Sequence, residues 1–289
     1  MTQVYLNNTF VPESEARVSV FDHGYLYGDG IFETLRAYSG LIFRLQDHLT
    51  RLFESGRRLS FRLPWDRQEL AAILVECLKT NGCEDAVLRL TISRGMGPPG
   101  LDPDLCKTPT LVVFTRPFAG YPEDLYERGI SLALVNVRKN LPDAIDPQIK
   151  SANYLNNILA KIEAKKAGAD EAVLLNHQGY LAEGTVSNLF FFRKGKLCTP
   201  SLDAGILDGV TRRTVLEIAS DLGINVHEGL HAPNAMLQAE EVFMTNTTYE
   251  VMPVSRIDQQ QLNLGPLSRR LREAFKRRVA MEQETHGSE

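Results

Sequence analysis

Residues 146–157 read DPQIKSANYLNN. Lys150 follows the apolar Ile149 and stands just ahead of a segment with helical spacing, Tyr154 to Ala167. An amine with apolar neighbours loses its proton at accessible cost, which is what Schiff-base chemistry requires of a lysine. Taken alone, the same pattern suits a lysine that lies along apolar surface with its head in water. Lys165 and Lys166 sit on a charged helical stretch, and Lys194 and Lys196 flank the turn residue Gly195, so neither pair shares the setting of Lys150.

Upstream of this stretch the chain begins with strand-like pieces around Tyr5 and Val18. Two amphipathic helices follow: Gln46 to Phe61, with Leu49, Leu52, Phe53 and Leu59 on one face, and Asp66 to Asn81, with Leu70, Ile73, Leu74 and Cys77. Strands are expected at Ala86 to Ser93 and Thr110 to Thr115. The segment RPFAGYPEDLY, 116–126, concentrates proline, glycine and acid between two β-rich stretches, the composition of an interdomain connection. The expected division is therefore a small N-terminal domain over 1–117, a connection over 118–126 and a larger domain over 127–289. In the larger part strands are expected at Ile130 to Val137, Glu171 to Leu175, Leu189 to Arg193, Val226 to Glu228 and Glu241 to Thr245. Helices are expected at Tyr154 to Ala167, Arg212 to Leu222 and Leu267 to Met281. The fold class is mixed α/β (α+β) in both halves, because strands and helices do not alternate strictly as a doubly wound parallel sheet demands. A length of 289 residues agrees with two domains at about 150 residues each.

Composition excludes several classes of function. Hydrophobic residues make up 43% and charged residues 24%, the balance of a chain that builds a core rather than remaining disordered. The longest apolar run is Leu70 to Val75, against about 20 residues for a bilayer span, so no membrane partner is expected. A net charge of -4 argues against nucleic acid. The start, MTQVYLNNTFVPESE, has no basic and apolar export pattern, which points to the cytoplasm. Cys77, Cys83, Cys106 and Cys198 form no C-x-x-C pair and are read as reduced bystanders, with no metal expected.

Two literal motif matches fail on context. HEGLH, 227–231, has the zinc-protease spacing, but that geometry needs a helix, and Gly229 within it and Pro233 after it oppose one. GMGPPG, 95–100, satisfies a dinucleotide fingerprint, yet Pro98, Pro99 and Pro103 leave no following helix to receive a pyrophosphate. A flexible loop near a site is the better reading of that segment.

Three further segments carry chemistry beside Lys150. Glu183 lies in YLAEGTVSNLFFF, a carboxylate between strand-like pieces. DGVTRR, 208–213, is a glycine turn entering a helix with Thr211 as N-cap, whose free backbone donors suit a phosphate. TNTTY, 245–249, places hydroxyls at a strand end. Each has an ordinary structural reading: turn acid, helix cap and turn.

Together they resemble the class IV, fold-type IV aminotransferases that use pyridoxal 5'-phosphate. The resemblance runs from Gly24 to Pro253 and rests on YGDGIFETLRAY at 27–38, DHLTRL at 47–52, IKSANYLNN at 149–157, EGTVSNLFF at 183–191, LDGVTR at 207–212 and FMTNTTYEVMPV at 243–254. It implies that Lys150 is the Schiff-base lysine and proton shuttle, and that Glu183 faces the pyridine nitrogen and Tyr154 the ring hydroxyl. Arg51, Val210, Thr211 and Thr247 would hold the phosphate. Phe32, read as an aromatic at a helix start, would line the substrate pocket with Arg89 and Thr248. The substrates implied are an amino acid and a 2-oxo acid, and the assembly implied is a homodimer. A carboxylate beside the pyridine nitrogen keeps it protonated, so that the ring accepts the electron pair freed when the α-proton leaves.

Within the family, D-amino-acid aminotransferases and 4-amino-4-deoxychorismate lyases carry an arginine in the loop where this chain has Pro98 and Pro99. The branched-chain enzymes have a GMG loop and an arginine in the preceding strand, which Gly95 to Gly97 and Arg89 match. The expected reaction is transamination of L-leucine, L-isoleucine and L-valine with 2-oxoglutarate. YGDGIFET, however, is nearer to the D-amino-acid and lyase members, and a family tyrosine is replaced by Val87. Outside enzymes, the alternative is a small-molecule binding protein.

Overall fold

A computed structural model describes residues 2–286. The chain divides into two compact units, Met1–Ala119 with Ile149–Asn153, and Gly120–Gln148 with Tyr154–Glu289.

The first unit contains β1 (Gln3–Leu6), β2 (Thr9–Pro12), α1 (His23–Tyr27), β3 (Gly30–Tyr38), β4 (Leu41–Ile42), α2 (Leu45–Arg58), α3 (Arg67–Thr80), β5 (Ala86–Ser93) and β6 (Thr110–Pro117). Its sheet is antiparallel, in the order β2-β1-β6-β5-β3-β4. The spacing of apolar residues that predicts α2 and α3 is what covers this sheet: Leu49, Leu52, Leu70 and Leu74 pack on Ile31, Leu35, Leu88 and Leu90. At about 1.5–3 kcal/mol for each fully buried side chain, this layer dominates the stability of the unit. Asp66 and Glu69 close a reciprocal capping box at the start of α3. Gly28 ends α1 in the left-handed region, at φ 73°, and turns the chain into β3.

The second unit contains α4 (Glu123–Arg128), β7 (Ile130–Arg138), α5 (Leu155–Lys166), β8 (Glu171–Leu175), β9 (Asn188–Arg193), β10 (Lys196–Pro200), α6 (Val210–Asp221), β11 (Val226–Gly229), α7 (Pro233–Leu237), β12 (Glu241–Asn246), β13 (Glu250–Ile257), β14 (Gln260–Gln261) and α8 (Pro266–His286). The main path of its sheet is β11-β10-β9-β12-β13-β7-β8, with β14 on β13. Among the described residues, parallel pairing is confined to β10 with β11, β13 with β7 and β7 with β8, so this sheet combines parallel and antiparallel strands. Among the described residues, no helix is long and apolar enough to cross a membrane.

Four local expectations are corrected. Val18 is exposed and outside any strand. Phe32 lies within β3 and at no helix start; β3 is buried on both faces, so it lacks the apolar and polar alternation that betrays a half-buried strand. The expected connection, 118–126, runs into α4, which belongs to the second unit. Finally, Ile149–Asn153 belongs to the first unit although the chain on either side of it belongs to the second.

Candidate active site

The predicted residues fall into two sets, one on each unit. On the first unit, the backbone of Lys150 is held as an extended rung beside β3. Phe32 N donates to Lys150 O at 3.0 Å, Ala152 N donates to Gly30 O at 2.7 Å, and Lys150 N donates to Ser55 Oγ at 3.2 Å. Lys150 Nζ lies 4.4 Å from the centre of the Phe32 ring. The Arg89 guanidinium, from β5, is 3.2 Å from the same ring centre, and it donates to Thr91 and Thr34 hydroxyls at 3.3 and 3.4 Å. Phe32 thus touches two of the cations singled out in the sequence.

Glu33 points the other way along β3, under α2. Arg51 grips it with two hydrogen bonds, Nε to Oε1 at 2.8 Å and Nη2 to Oε2 at 2.7 Å, and His48 donates from Nδ1 at 2.8 Å. A carboxylate accepts but does not donate, so His48 carries its proton on Nδ1. Burial pushes the Glu33 pKa up, but the charge and hydrogen bonds of Arg51, with those of His48, outweigh it and hold the carboxyl far below its usual range. Burial lowers the pKa of His48, helped by the charges of Arg51 and Lys150 and opposed by Glu33. The sequence reading identified Arg51 but missed this pairing, because Glu33 and His48 carry no motif of their own.

On the second unit, Glu183 is buried and accepts three hydrogen-bond or ion-pair donors. Lys139 Nζ is 2.6 Å from Oε1, while Leu207 N and Asn188 Nδ2 reach Oε2 at 3.1 and 3.2 Å. Asn188 Nδ2 also donates to Leu207 O at 2.9 Å, which ties the carboxylate to the turn before α6. Lys139, just past the end of β7, was missed by sequence reading; its only sequence signal is a cation closing an apolar strand. Nearby, Ser187 Oγ and Thr245 Oγ1 are buried without a partner, and Thr245 is the cross-strand neighbour of Asn188.

The turn 208–211 enters α6 differently from the sequence expectation. Gly209 is the N-cap, Thr211 already lies inside the helix, and no side chain caps this end. The first backbone donors of α6 therefore have no side-chain acceptor from their own cap. A Cβ on Gly209 would come 2.0 Å from Asn188 Oδ1, so only glycine fits there. Thr247 and Thr248 lie in the turn between β12 and β13. Asn246 Oδ1 shapes this turn by accepting from Thr248 N at 2.9 Å and Tyr249 N at 2.7 Å. Tyr154 precedes α5, and its carbonyl accepts from Ile158 N at 2.9 Å.

The discarded motifs resolve as strand and loop. His227–Gly229 closes β11. After Gly95 the chain forms a loop with a single 3-10 turn at Pro103–Leu105 and no α-helix.

The amino-transferase class IV family model matches residues 30–257. The chain belongs to the class IV aminotransferase family. Among curated relatives, the "Putative branched-chain-amino-acid aminotransferase" of Methanocaldococcus jannaschii is 42% identical over 95% of both chains. The aminodeoxychorismate lyase of Bacillus subtilis is 37% identical over 92% of this chain and 89% of its own length. The D-alanine aminotransferase of Bacillus licheniformis is 32% identical, over 97% of this chain and 98% of its own. Among solved structures, a T.th. branched-chain amino acid aminotransferase with pyridoxamine 5'-phosphate superposes with a TM-score of 0.90, at 35% identity, covering 94% of this chain and 92% of that one. This class IV aminotransferase is a pyridoxal 5'-phosphate enzyme of fold type IV that works on amino and 2-oxo acids.

The residues present fit that cofactor. Glu183 is a buried carboxylate with remaining acceptor capacity, Lys150 is an amine against an aromatic face, and α6 offers an uncapped N-terminus.

Proposed function

We propose that this aminotransferase exchanges the amino group of L-leucine, L-isoleucine or L-valine with 2-oxoglutarate. The observation that carries the reading is Arg89 seated on Phe32 within the first unit's sheet. It supplies a cation for the second carboxylate of 2-oxoglutarate beside an apolar ring suited to an aliphatic side chain. The competing activities need a cation in the loop after β5. Its tip, residues 95–106, GMGPPGLDPDLC, contains none, and Lys107 stands exposed at the far end, three residues before β6. Arg94, immediately before them, is held by Asp29 through hydrogen bonds of 2.8 and 3.1 Å.

In this reading Lys150 would hold the cofactor through its amine, which would also take the proton that leaves the substrate α-carbon. Glu183 would face the ring nitrogen, Tyr154 the ring hydroxyl, and Arg51, Val210, Thr211 and Thr247 the phosphate. Phe32, Arg89 and Thr248 bind substrate. When bound, pyridoxal 5'-phosphate supplies a sink for the electron pair released with the α-proton. The chain's part is to orient the substrate, keep the amine of Lys150 available and exclude water around Phe32. Four free cysteines agree with a reducing compartment, and we place the enzyme in the cytoplasm.

The enzyme works as a homodimer. In the second unit, α5 buries Ala160 and Ala164 but exposes Leu155, Ile158, Leu159 and Ile162, an apolar stripe at helical spacing. In the first unit, Phe21, Tyr25, Met96 and Leu101 are exposed on segments joined by Gly97 N to Phe21 O and by Gly100 N to Tyr27 Oη. Contiguous apolar surface of this kind marks contact with a partner, and a second copy supplies the matching faces.

The test is a panel of L- and D-amino acids with 2-oxoglutarate, ranked by kcat/KM. Leucine, isoleucine and valine should lead. A higher value for D-alanine, or pyruvate release from aminodeoxychorismate, would replace the substrate assignment with one of the other two activities.

A further inference from the structure

HEGLH is no protease motif, yet the fold gives its two histidines a common neighbour. The parallel pairing of β10 and β11 sets Cys198 opposite His227 in register. One ligand atom each from Cys198, His227 and His231 lies within 4.8 Å of the other two. Alternation along β11 explains which residues share a face: His227 points one way and Glu228 the other, where Arg212 holds it in an ion pair. Gly229 lies on the His227 face, and a Cβ there would come within 3.0 Å of the His227 ring. The missing side chain leaves that imidazole room to lie over the strand end, 5.1 Å from the His231 ring centre.

We propose that Cys198, His227 and His231 bind a divalent transition-metal ion of the zinc type. One thiolate and two imidazoles are a borderline-soft donor set, and three protein ligands with a solvent-facing histidine leave the fourth tetrahedral position to water. Tetrahedral zinc holds such atoms about 3.3–3.6 Å apart, so the three side chains need to draw in by about 1 Å. The surrounding frame is already fixed. His231 O accepts from Leu181 N at 2.8 Å, Gly229 O accepts from Ser201 N at 3.0 Å, and Phe191 packs edge-on against the His231 ring at 5.0 Å.

The protonation states agree with this geometry. Burial lowers the His231 pKa, and the charge of His227 adds to the effect, against contacts with the carbonyls of Thr199 and His227. Thr199 O lies 3.2 Å from His231 Nε2 and is placed to take the ring's N–H, the outer-shell contact that orients metal-binding histidines. Burial raises the Cys198 thiol, partly offset by Arg193 and Lys196, so metal binding has to expel its proton. The bond formed is sulfur to metal, the bond broken is S–H, and the proton goes to buffer. Because β11 is an edge strand, the ion would pin it to β10 and to the lead into α7.

The experiment is calorimetric titration of zinc chloride into metal-stripped holoenzyme, in two buffers of different ionisation enthalpy, with zinc K-edge absorption on the product. One ion per chain at micromolar or tighter affinity, about one proton released and a shell of one sulfur and two imidazole nitrogens are expected. His227→Ala, at an exposed position, and Cys198→Ala should each weaken binding at least tenfold. Unchanged affinity in His227→Ala, a shell without sulfur, or no saturable binding below millimolar zinc would overturn the proposal.

Discussion

Lys139 Nζ lies 2.6 Å from Glu183 Oε1, with both side chains largely shielded from water. Glu183 therefore already has a cationic partner within its own unit. Replacing one member of such a pair strands the other, at about 3–5 kcal/mol, whereas replacing both removes the conflict. Glu183→Gln and Lys139→Met should each lower stability in denaturant, and the double variant should regain part of the loss. Simple additivity in the double-mutant cycle would show that the pair is not coupled. Glu183→Gln should also slow α-proton removal at saturating cofactor; turnover equal to wild type would contradict the role proposed for it at the ring nitrogen.

Arg51 has structural work besides any contact with phosphate. Its two hydrogen bonds to Glu33 are buried, so Arg51→Ala leaves a carboxylate with only His48 beside it. Weakened cofactor retention and a stability loss of about 3–5 kcal/mol are both expected. Glu33→Gln should keep more of the cofactor than Arg51→Ala while losing stability. Cofactor release by dialysis, read beside thermal melts, separates the two effects, and an Arg51→Ala protein as stable as wild type would refute the structural one.

The same trio predicts acid sensitivity. The His48 pKa is depressed in the folded chain from an ordinary 6.5, so the unfolded chain binds a proton first and stability falls as pH drops below about 6.5. The Glu33 pKa is depressed from 4.5, so a second loss sets in as pH falls below that value. His48→Gln should flatten the upper part of the stability profile and leave the lower part. A wild-type profile that is flat between pH 7 and 5, or one unaltered by His48→Gln, would remove His48 from the explanation.

Gly209 should tolerate no side chain. In Gly209→Ala the new methyl would displace Asn188, which carries one of the hydrogen bonds to Glu183. A destabilisation of about 1–3 kcal/mol and weaker cofactor binding are expected. Normal affinity in a fully stable Gly209→Ala enzyme would mean that the α6 turn shifts without consequence.

Arg89→Ala should separate the two half-reactions. Losing a charge-assisted contact costs about 1.5–3 kcal/mol, roughly ten- to a hundredfold, and only 2-oxoglutarate or glutamate has a second carboxylate to lose. Single-turnover spectroscopy should show the 2-oxoglutarate step slowed more than the leucine step. Equal slowing would assign Arg89 to packing on Phe32 alone.

Sequence was most informative where one physical pattern had one outcome. The apolar spacing of α2 and α3 and the run Ala86 to Ser93 led to the observed elements, because each buries one identifiable face. β3 escaped because Glu33 and Arg36 are buried beside its apolar residues, so burial on both faces erased the alternation. Thr211 looked like the cap because threonine favours that role, but the crowding against Asn188 fixes glycine at the cap position instead. At the candidate site, the segments around Lys150 and Glu183 singled those two residues out in the sequence. Lys139, 44 residues from Glu183 in sequence, could be connected to it only by the fold. The histidines of HEGLH were set aside on sound grounds, since they lie on no helix; their link to Cys198 depends on strand register.

The five residues Ile149–Asn153 impose an order on how the protein can be made. On its side of β3, β4 pairs with Ala37 and Tyr38, while residues 30–32 of that edge bond to 150–152. A ribosome that has just released Ala119 has delivered almost all of the first unit but not the rung that bears Lys150. Another 34 residues, 153 minus 119, must emerge first, about 2–7 s at elongation rates of roughly 5–20 residues per second. For that interval the nascent sheet has an open edge at Gly30–Phe32, and a gene split at the domain border would make the gap permanent. Lys150 thus comes with the last part of its unit to arrive, delivered by a chain that has already begun to build the other one.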